Sequence, residues 1–145
     1  MMPLSSAPAR LRVARRLCLL ALCAAYIQGP LTKIADFPGA LAEMTHFGLT
    51  PAPLFAVGVI GFELVASAMV VSGYGRRIAA LALAAFTLAA TLMALRFWEM
   101  ESGPARSMAT NGFFEHVGLA GAFLYVALTA PVADDRRSWP FGSRG

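Results

Sequence analysis

The chain has 145 residues, 58% of them hydrophobic and only 14% charged, with a formal net charge of +4. Soluble domains hold about 25% charged residues, so this deficit, together with long apolar runs, excludes an ordinary soluble domain and indicates an integral membrane protein. The length accommodates one compact membrane domain and excludes a separate soluble catalytic domain beside it.

Residues 1–16 read as a basic tail carrying Arg10, Arg12, Arg15 and Arg16. The first span is expected over 17–34. It reads as a retained helix rather than a cleaved signal, because the apolar run continues past the small residues Ala24 and Ala25 to Ile34. Leu22 also stands before Cys23 where a lipoprotein signal carries a small residue. Pro30 is expected to distort the last turn by removing a backbone donor. Cys18 and Cys23 are separated by about 500° of helical rotation and point some 140° apart. They form no C-x-x-C redox pair and read as packing residues.

Between 36 and 51, Phe37, Leu41, Met44 and Phe47 recur at helical spacing and Gly48 is a stop. This pattern predicts a short amphipathic helix at the membrane surface. The second span is expected over 53–71, ending at Ser72-Gly73-Tyr74-Gly75. The third covers 77–97, followed by Trp98 in the place of an interfacial aromatic. Residues 99–110 read as a polar loop and the fourth span covers 111–130. Residues 131–145 form a charged tail. The expected fold is all-α: a four-helix transmembrane bundle over 17–130 with a short interfacial helix between the first and second spans.

The basic clusters fit one topology. Arg10–Arg16, Arg76 with Arg77, and Arg136, Arg137 and Arg144 lie on the cytoplasmic side if both termini and the middle turn face inward. Four spans, with both termini cytoplasmic, satisfy every cluster. Such clusters beside membrane spans set orientation, and no nucleic-acid partner is expected.

Glu63 lies near the middle of the second span. An ionised carboxylate at the centre of a membrane helix costs roughly 2.5–3.5 kcal/mol on insertion scales, and nothing nearby in sequence neutralises it. Glu63 is therefore the candidate catalytic residue. The topology places Gln28 and Lys33 in the outer half of the first helix, Thr91 and Arg96 in that of the third, and Asn111, Glu115 and His116 in the first turns of the fourth. These seven are the candidate ligand-binding residues, converging on one polar region that opens outward. Helical phase supports packing seams through Ala56, Glu63, Ala66 and Ser67 on the second helix. The third offers Ala80, Ala84, Thr87, Thr91 and Leu95, and the fourth Asn111, Glu115, Gly118, Ala122, Tyr125 and Thr129. Close packing alone accounts for the alanines, and a structural charge network is the competing account of the charged residues.

Several motifs appear in order: Gly29 with Lys33, Glu63 followed by Ala66-Ser67, Gly73, Arg76 or Arg77, Ala80, the stretch Asn111-Gly112-Phe113-Phe114-Glu115-His116, and Gly121. Over 16–128 the chain resembles the DoxX family of small bacterial four-helix membrane proteins. Ala66-Ser67 stands where glycines are common in that family, and Glu115 stands where a basic residue is usual. The resemblance implies a membrane role linked to redox chemistry, with relatives that look like subunits of quinone-coupled oxidoreductases or that act in oxidative-stress and thiol handling.

Three functions remain open. One is a subunit of a quinone- or thiol-linked oxidoreductase system, with Glu63 exchanging a proton and Lys33 and Arg96 holding an anionic or carbonyl group. A second is a small proton-coupled transporter of an anionic or neutral solute. The third is a scaffold or assembly factor without a ligand. A quinone is the candidate cofactor. His46 and His116 make no convincing haem pair, and no metal motif is visible. Expected partners are the lipid bilayer, membrane or periplasmic oxidoreductase subunits, and a second copy of the chain. No enzymatic activity is assigned to the chain alone. Reporter fusions at Tyr74 and Gly145 are expected to read cytoplasmic and fusions near Thr45 and Gly103 external; an external C-terminus overturns the orientation.

Overall fold

A computed structural model describes residues 8–131. It contains α1 (Ala9–Ala35), α2 (Phe37–His46), α3 (Ala52–Ser72), α4 (Arg76–Ala94), a 3-10 turn (Phe97–Glu99) and α5 (Pro104–Thr129). Among the described residues, four helices are long and apolar enough to cross a membrane, and α2 lies between the first and second of them. The all-α bundle with a short intervening helix is therefore the observed architecture.

Two helix starts lie well upstream of the expected spans. α1 begins at Ala9 rather than 17, so Arg10, Arg12, Arg15 and Arg16 are helical. α5 begins at Pro104 rather than 111, behind Gly103. Proline suits a first helical position because its missing N–H would be unpaired there anyway. Both discrepancies share a cause: apolar runs mark the part of a helix that sits in hydrocarbon, whereas polar turns can continue the helix beyond it. α1 also runs through Pro30 to Ala35. Pro30 is buried, and neighbouring helices tolerate such a proline in membrane spans.

α3 packs on α1 and α4, and α4 packs most extensively on α5. The core is lined by Leu19, Cys23 and Tyr26 of α1, Ala66 and Val70 of α3, Ala79, Ala80, Leu83 and Ala84 of α4, and Ala120, Phe123 and Ala127 of α5. Without a hydrophobic drive between helices in lipid, association relies on close packing, which small residues permit. The Phe123 ring closes the ring of helices by meeting Tyr26 edge-on, with centroids 5.2 Å apart.

The α3–α4 turn is tight. Gly73 adopts φ 95° and Gly75 φ 61°, left-handed conformations that glycine supplies at least cost. The Gly73 N–H donates to the Met69 carbonyl at 3.0 Å, closing α3. Arg76, 7% exposed, adds a charged cap: its Nε donates to the Val70 carbonyl at 2.7 Å. A cation there also complements the negative end of the α3 dipole.

At the opposite end, Asp36 joins α1 to α2. Its Oδ1 accepts from the Gly39 N–H at 3.0 Å and caps α2. α2 buries Ala40 and Met44 against Ala56, flanked by Phe37, Leu41 and Leu49. Gly48, at φ 72°, ends it as the sequence indicates, with the Leu49 N–H donating to the Met44 carbonyl at 2.9 Å. Phe97, Trp98, Phe113 and Phe114 form an aromatic cluster where α4 ends beside α5.

Phe123 is 0% exposed and touches the α1 ring system. Phe123→Ala should cost about 3–5 kcal/mol through lost contacts and a cavity, read as a clearly lower melting temperature in detergent.

Candidate functional site

Glu63 sits near the middle of α3 and is 8% exposed. It lines a partly open cavity of about 190 Å³, walled by Ala25 and Tyr26 of α1, Phe86, Thr87 and Ala90 of α4, and His116 and Leu119 of α5. All four long helices therefore reach the same space. At about 30 Å³ per water, it holds roughly six water molecules. Its volume is below the about 300–1,000 Å³ of ordinary ligand pockets. Gly29 of α1 faces the carboxylate: a Cβ there would lie 4.0 Å from Glu63 Oε2, an ordinary contact.

A ladder of hydrogen bonds forms one wall. The Thr87 hydroxyl donates to the Leu83 carbonyl at 2.6 Å, and the Thr91 hydroxyl donates to the Thr87 carbonyl at 2.6 Å. Each hydroxyl has a single hydrogen, so each oxygen can only accept from a second partner. Tyr26 is hydrogen-bonded to Thr87 Oγ1 and must be its donor. His116 Nδ1 lies 3.1 Å from Thr91 Oγ1 and must likewise donate. The bonding pattern thus places a hydrogen on His116 Nδ1, so that Nε2 is the acceptor whenever the imidazole is neutral.

Two buried polar atoms lack partners among the described residues: Glu63 Oε2 and Ser67 Oγ, one turn along α3. Cys23 lies beside Ser67, but a thiol is a weak hydrogen-bonding group, and the hydroxyl makes no bond of good geometry. An unsatisfied buried polar group costs about 1–3 kcal/mol. The unpartnered carboxyl oxygen is therefore an expense that the bundle's packing has to carry.

The other sequence candidates separate into distinct places. Thr91 is buried and joined to His116. Lys33 lies one turn beyond Gly29 on α1 and pairs with Glu43 of α2 at 3.2 Å. Its charge is within electrostatic reach of Glu63. Arg96 pairs with Glu99 at 3.0 Å, both about half-exposed. Arg96 lines a different, open cleft of about 620 Å³ with His46, Phe47, Met93 and Met100, which shares no wall with the Glu63 cavity. Gln28 is exposed and donates to Thr32 Oγ1 at 2.7 Å. Asn111 and Glu115 are exposed on α5. The structure thus brings Glu63 and His116 to one cavity, with Thr91 bonded to His116 behind it, and leaves Gln28, Lys33, Arg96, Asn111 and Glu115 outside its walls.

The expected α5 seam is displaced. Tyr125 is 69% exposed and Gly118 is exposed, whereas Ala109, Ala120, Phe123 and Ala127 are buried. Polar character suggested one stripe, but the face that packs combines alanines with Phe123. The seams expected on α3 and α4 do coincide with buried faces through Glu63 and Thr87. Of the cysteines, Cys23 is in the core but Cys18 is exposed.

Tyr26 was missed as a site residue. It lies three positions before Gly29, on the face that meets Glu63, and its polar tip inside an apolar run was the available signal. Among the described residues, no group of three or more His, Cys, Asp or Glu side chains could hold a metal ion.

The sequence model of the DoxX family matches residues 16–96, more than half of the chain. The chain belongs to the DoxX family. The match includes Tyr26, Gly29, Glu63, Thr87 and Thr91, whereas His116 lies on α5 beyond it. The chain is also 30% identical to inner membrane protein YphA of Escherichia coli (strain K12) over 107 residues, covering 72% of this chain and 76% of that protein. No solved structure matches it. This DoxX-family protein is accordingly a multi-pass membrane protein.

Because Glu63 Oε2 has no partner, Glu63→Leu should fold and raise the melting temperature in detergent, by the order of the 1–3 kcal/mol that an unsatisfied buried group costs. A lower melting temperature for that variant means the carboxylate anchors the bundle.

Proposed function

We propose that this DoxX-family protein is the proton-handling membrane subunit of a quinone- or thiol-linked oxidoreductase system in the bacterial inner membrane, with both termini cytoplasmic. One observation carries the reading: Glu63, with an unpartnered carboxyl oxygen, and His116, bonded to Thr91 through Nδ1, line the same small cavity. A carboxyl group and an imidazole in one small space can pass a proton between them, directly or through water held there. The Tyr26–Thr87 and Thr91–His116 bonds fix the donors and acceptors around that space.

In this reading the small cavity exchanges protons and excludes a tailed quinone. The quinone or thiol compound reacts at a partner subunit, which carries the electrons. Lys33 and Glu43 lie on the α2 side of Glu63, and that end is the entry for protons. The inner-membrane assignment follows the named location of the YphA relative and the distribution of arginines.

Glu63→Gln keeps the shape of the side chain and removes the titratable proton. It should fold with a melting temperature close to that of the unaltered protein and lower pathway activity by about a hundredfold or more, the usual scale of general acid–base contributions. His116→Gln should lower activity in the same assay while Gln28→Ala leaves it unchanged. The measurement pairs thermal stability in detergent with electron flow or growth complementation in cells. Full activity of Glu63→Gln overturns the proton role.

A further inference from the structure

A second cavity opens on the lipid-facing side of α1 and α3. It has a volume of about 580 Å³ and is walled by Arg16, Leu20 and Ile27 of α1 and by Leu64, Ala68 and Ser72, among others, of α3. It shares no wall residue with the Glu63 cavity. Its character changes along its length. Arg16 and Ser72 stand at one end, and the walls beyond are largely apolar.

The dimensions match one half of a membrane. From Arg16 to Ile27 the helical rise amounts to ~16 Å. That is about half of the roughly 30 Å hydrocarbon thickness of a bilayer. The Arg16-headed part of the groove is therefore about as long as one leaflet is deep, and a second open groove lined by Leu20, Ile27, Leu31 and Ala35 continues from it along α1. The mouth at Arg16 is basic. Arg16 is exposed and makes no hydrogen bond or ion pair among the described residues, and Arg10, Arg12 and Arg15 lie on the preceding turns of the same helix. An apolar slot of leaflet length, headed by an unpaired guanidinium, complements one kind of molecule. Guanidinium binds phosphate oxygens in a planar fork, and basic residues at the membrane surface attract anionic lipids.

We infer that the α1–α3 groove is a binding site for an anionic phospholipid, with its phosphate on Arg16 and one acyl chain lying along Leu20, Ala68 and Leu64. The lipid would cover the seam between α1 and α3. This site stands apart from the proton reading, since neither Arg16 nor Ala68 touches the Glu63 cavity.

The test uses the full chain purified in mild detergent. Native mass spectrometry reads retention of phosphatidylglycerol, of phosphatidylcholine with the same acyl chains, and of inorganic phosphate. The unaltered protein should retain phosphatidylglycerol over phosphatidylcholine. Arg16→Gln should reduce phosphatidylglycerol retention about fivefold, the factor expected for one basic residue at an anionic surface. Arg106→Gln, at the other end of the bundle, should leave it unchanged. Ala68→Phe and the smaller Ala68→Leu fill the slot at an exposed position and should reduce retention of both lipids without lowering the melting temperature measured before lipid is added. Equal retention of the two lipids, unchanged selectivity in Arg16→Gln, or unchanged retention in both Ala68 variants overturns the inference. So does full displacement of the lipid by inorganic phosphate, which would mean a bare anion site without an acyl groove.

Discussion

Polar groups inside a bilayer have no water to turn to, so each must find its partner within the protein. α4 meets this constraint with two threonines. Thr87 and Thr91 direct their hydroxyl hydrogens at carbonyls one turn back on their own helix. That leaves each oxygen able to accept once more, and the acceptors meet donors from opposite neighbours: Tyr26 on α1 and His116 on α5. One local rule of side-chain chemistry thereby sets the register of α4 against two other helices. Alanines above and below allow the close approach the bonds require.

Much of this was legible from residue order. Long apolar runs, the Phe37–Phe47 spacing and the Gly73-Tyr74-Gly75 turn led to four spans and a short intervening helix. On α3 and α4 the buried face followed from small and polar residues at helical spacing, because these two helices are central and their polar groups point inward. On α5 the same rule failed. Asn111 and Glu115 are exposed, and the face that packs is decided by where Phe123 meets Tyr26, a contact between residues far apart in sequence. Lys33 and Arg96 show a related limit. A single sequence reveals charges at one depth, but not that Glu43 and Glu99 have already claimed them.

The two ends of the bundle use charge differently. At the α3–α4 turn Arg76 is buried and its guanidinium donates to carbonyls of α3, which makes it part of the scaffold. At the α2 end the ion pairs are partly exposed, where water and salt weaken them and such pairs contribute about 0–1 kcal/mol. The Lys33–Glu43 pair therefore holds α2 only loosely. Lys33 stands one helical turn from Gly29, which itself faces Glu63, while α2 is held by the packing of Ala40 and Met44 on Ala56.

The contrast between Arg76 and Glu63 bears on whether the carboxylate is structural. A buried charge retained for structure is expected to have its hydrogen-bonding capacity filled, since a half-satisfied buried network is worse than an apolar one. Arg76 meets that description, with a carbonyl acceptor at 2.7 Å. Glu63 does not: Oε2 is enclosed and has no partner, although Lys33 exerts its charge on it from the next turn of α1. Leucine at this position would fill similar space without the penalty. What a carboxyl group offers there, and leucine cannot, is a titratable proton in the same cavity as an imidazole whose Nδ1 is bonded to Thr91. With Nδ1 bonded to Thr91, Nε2 is the ring nitrogen left to accept. On the proposed proton-handling reading the unpartnered oxygen is left for a passing proton, whereas a carboxylate kept only to hold the helices would have its bonding capacity filled.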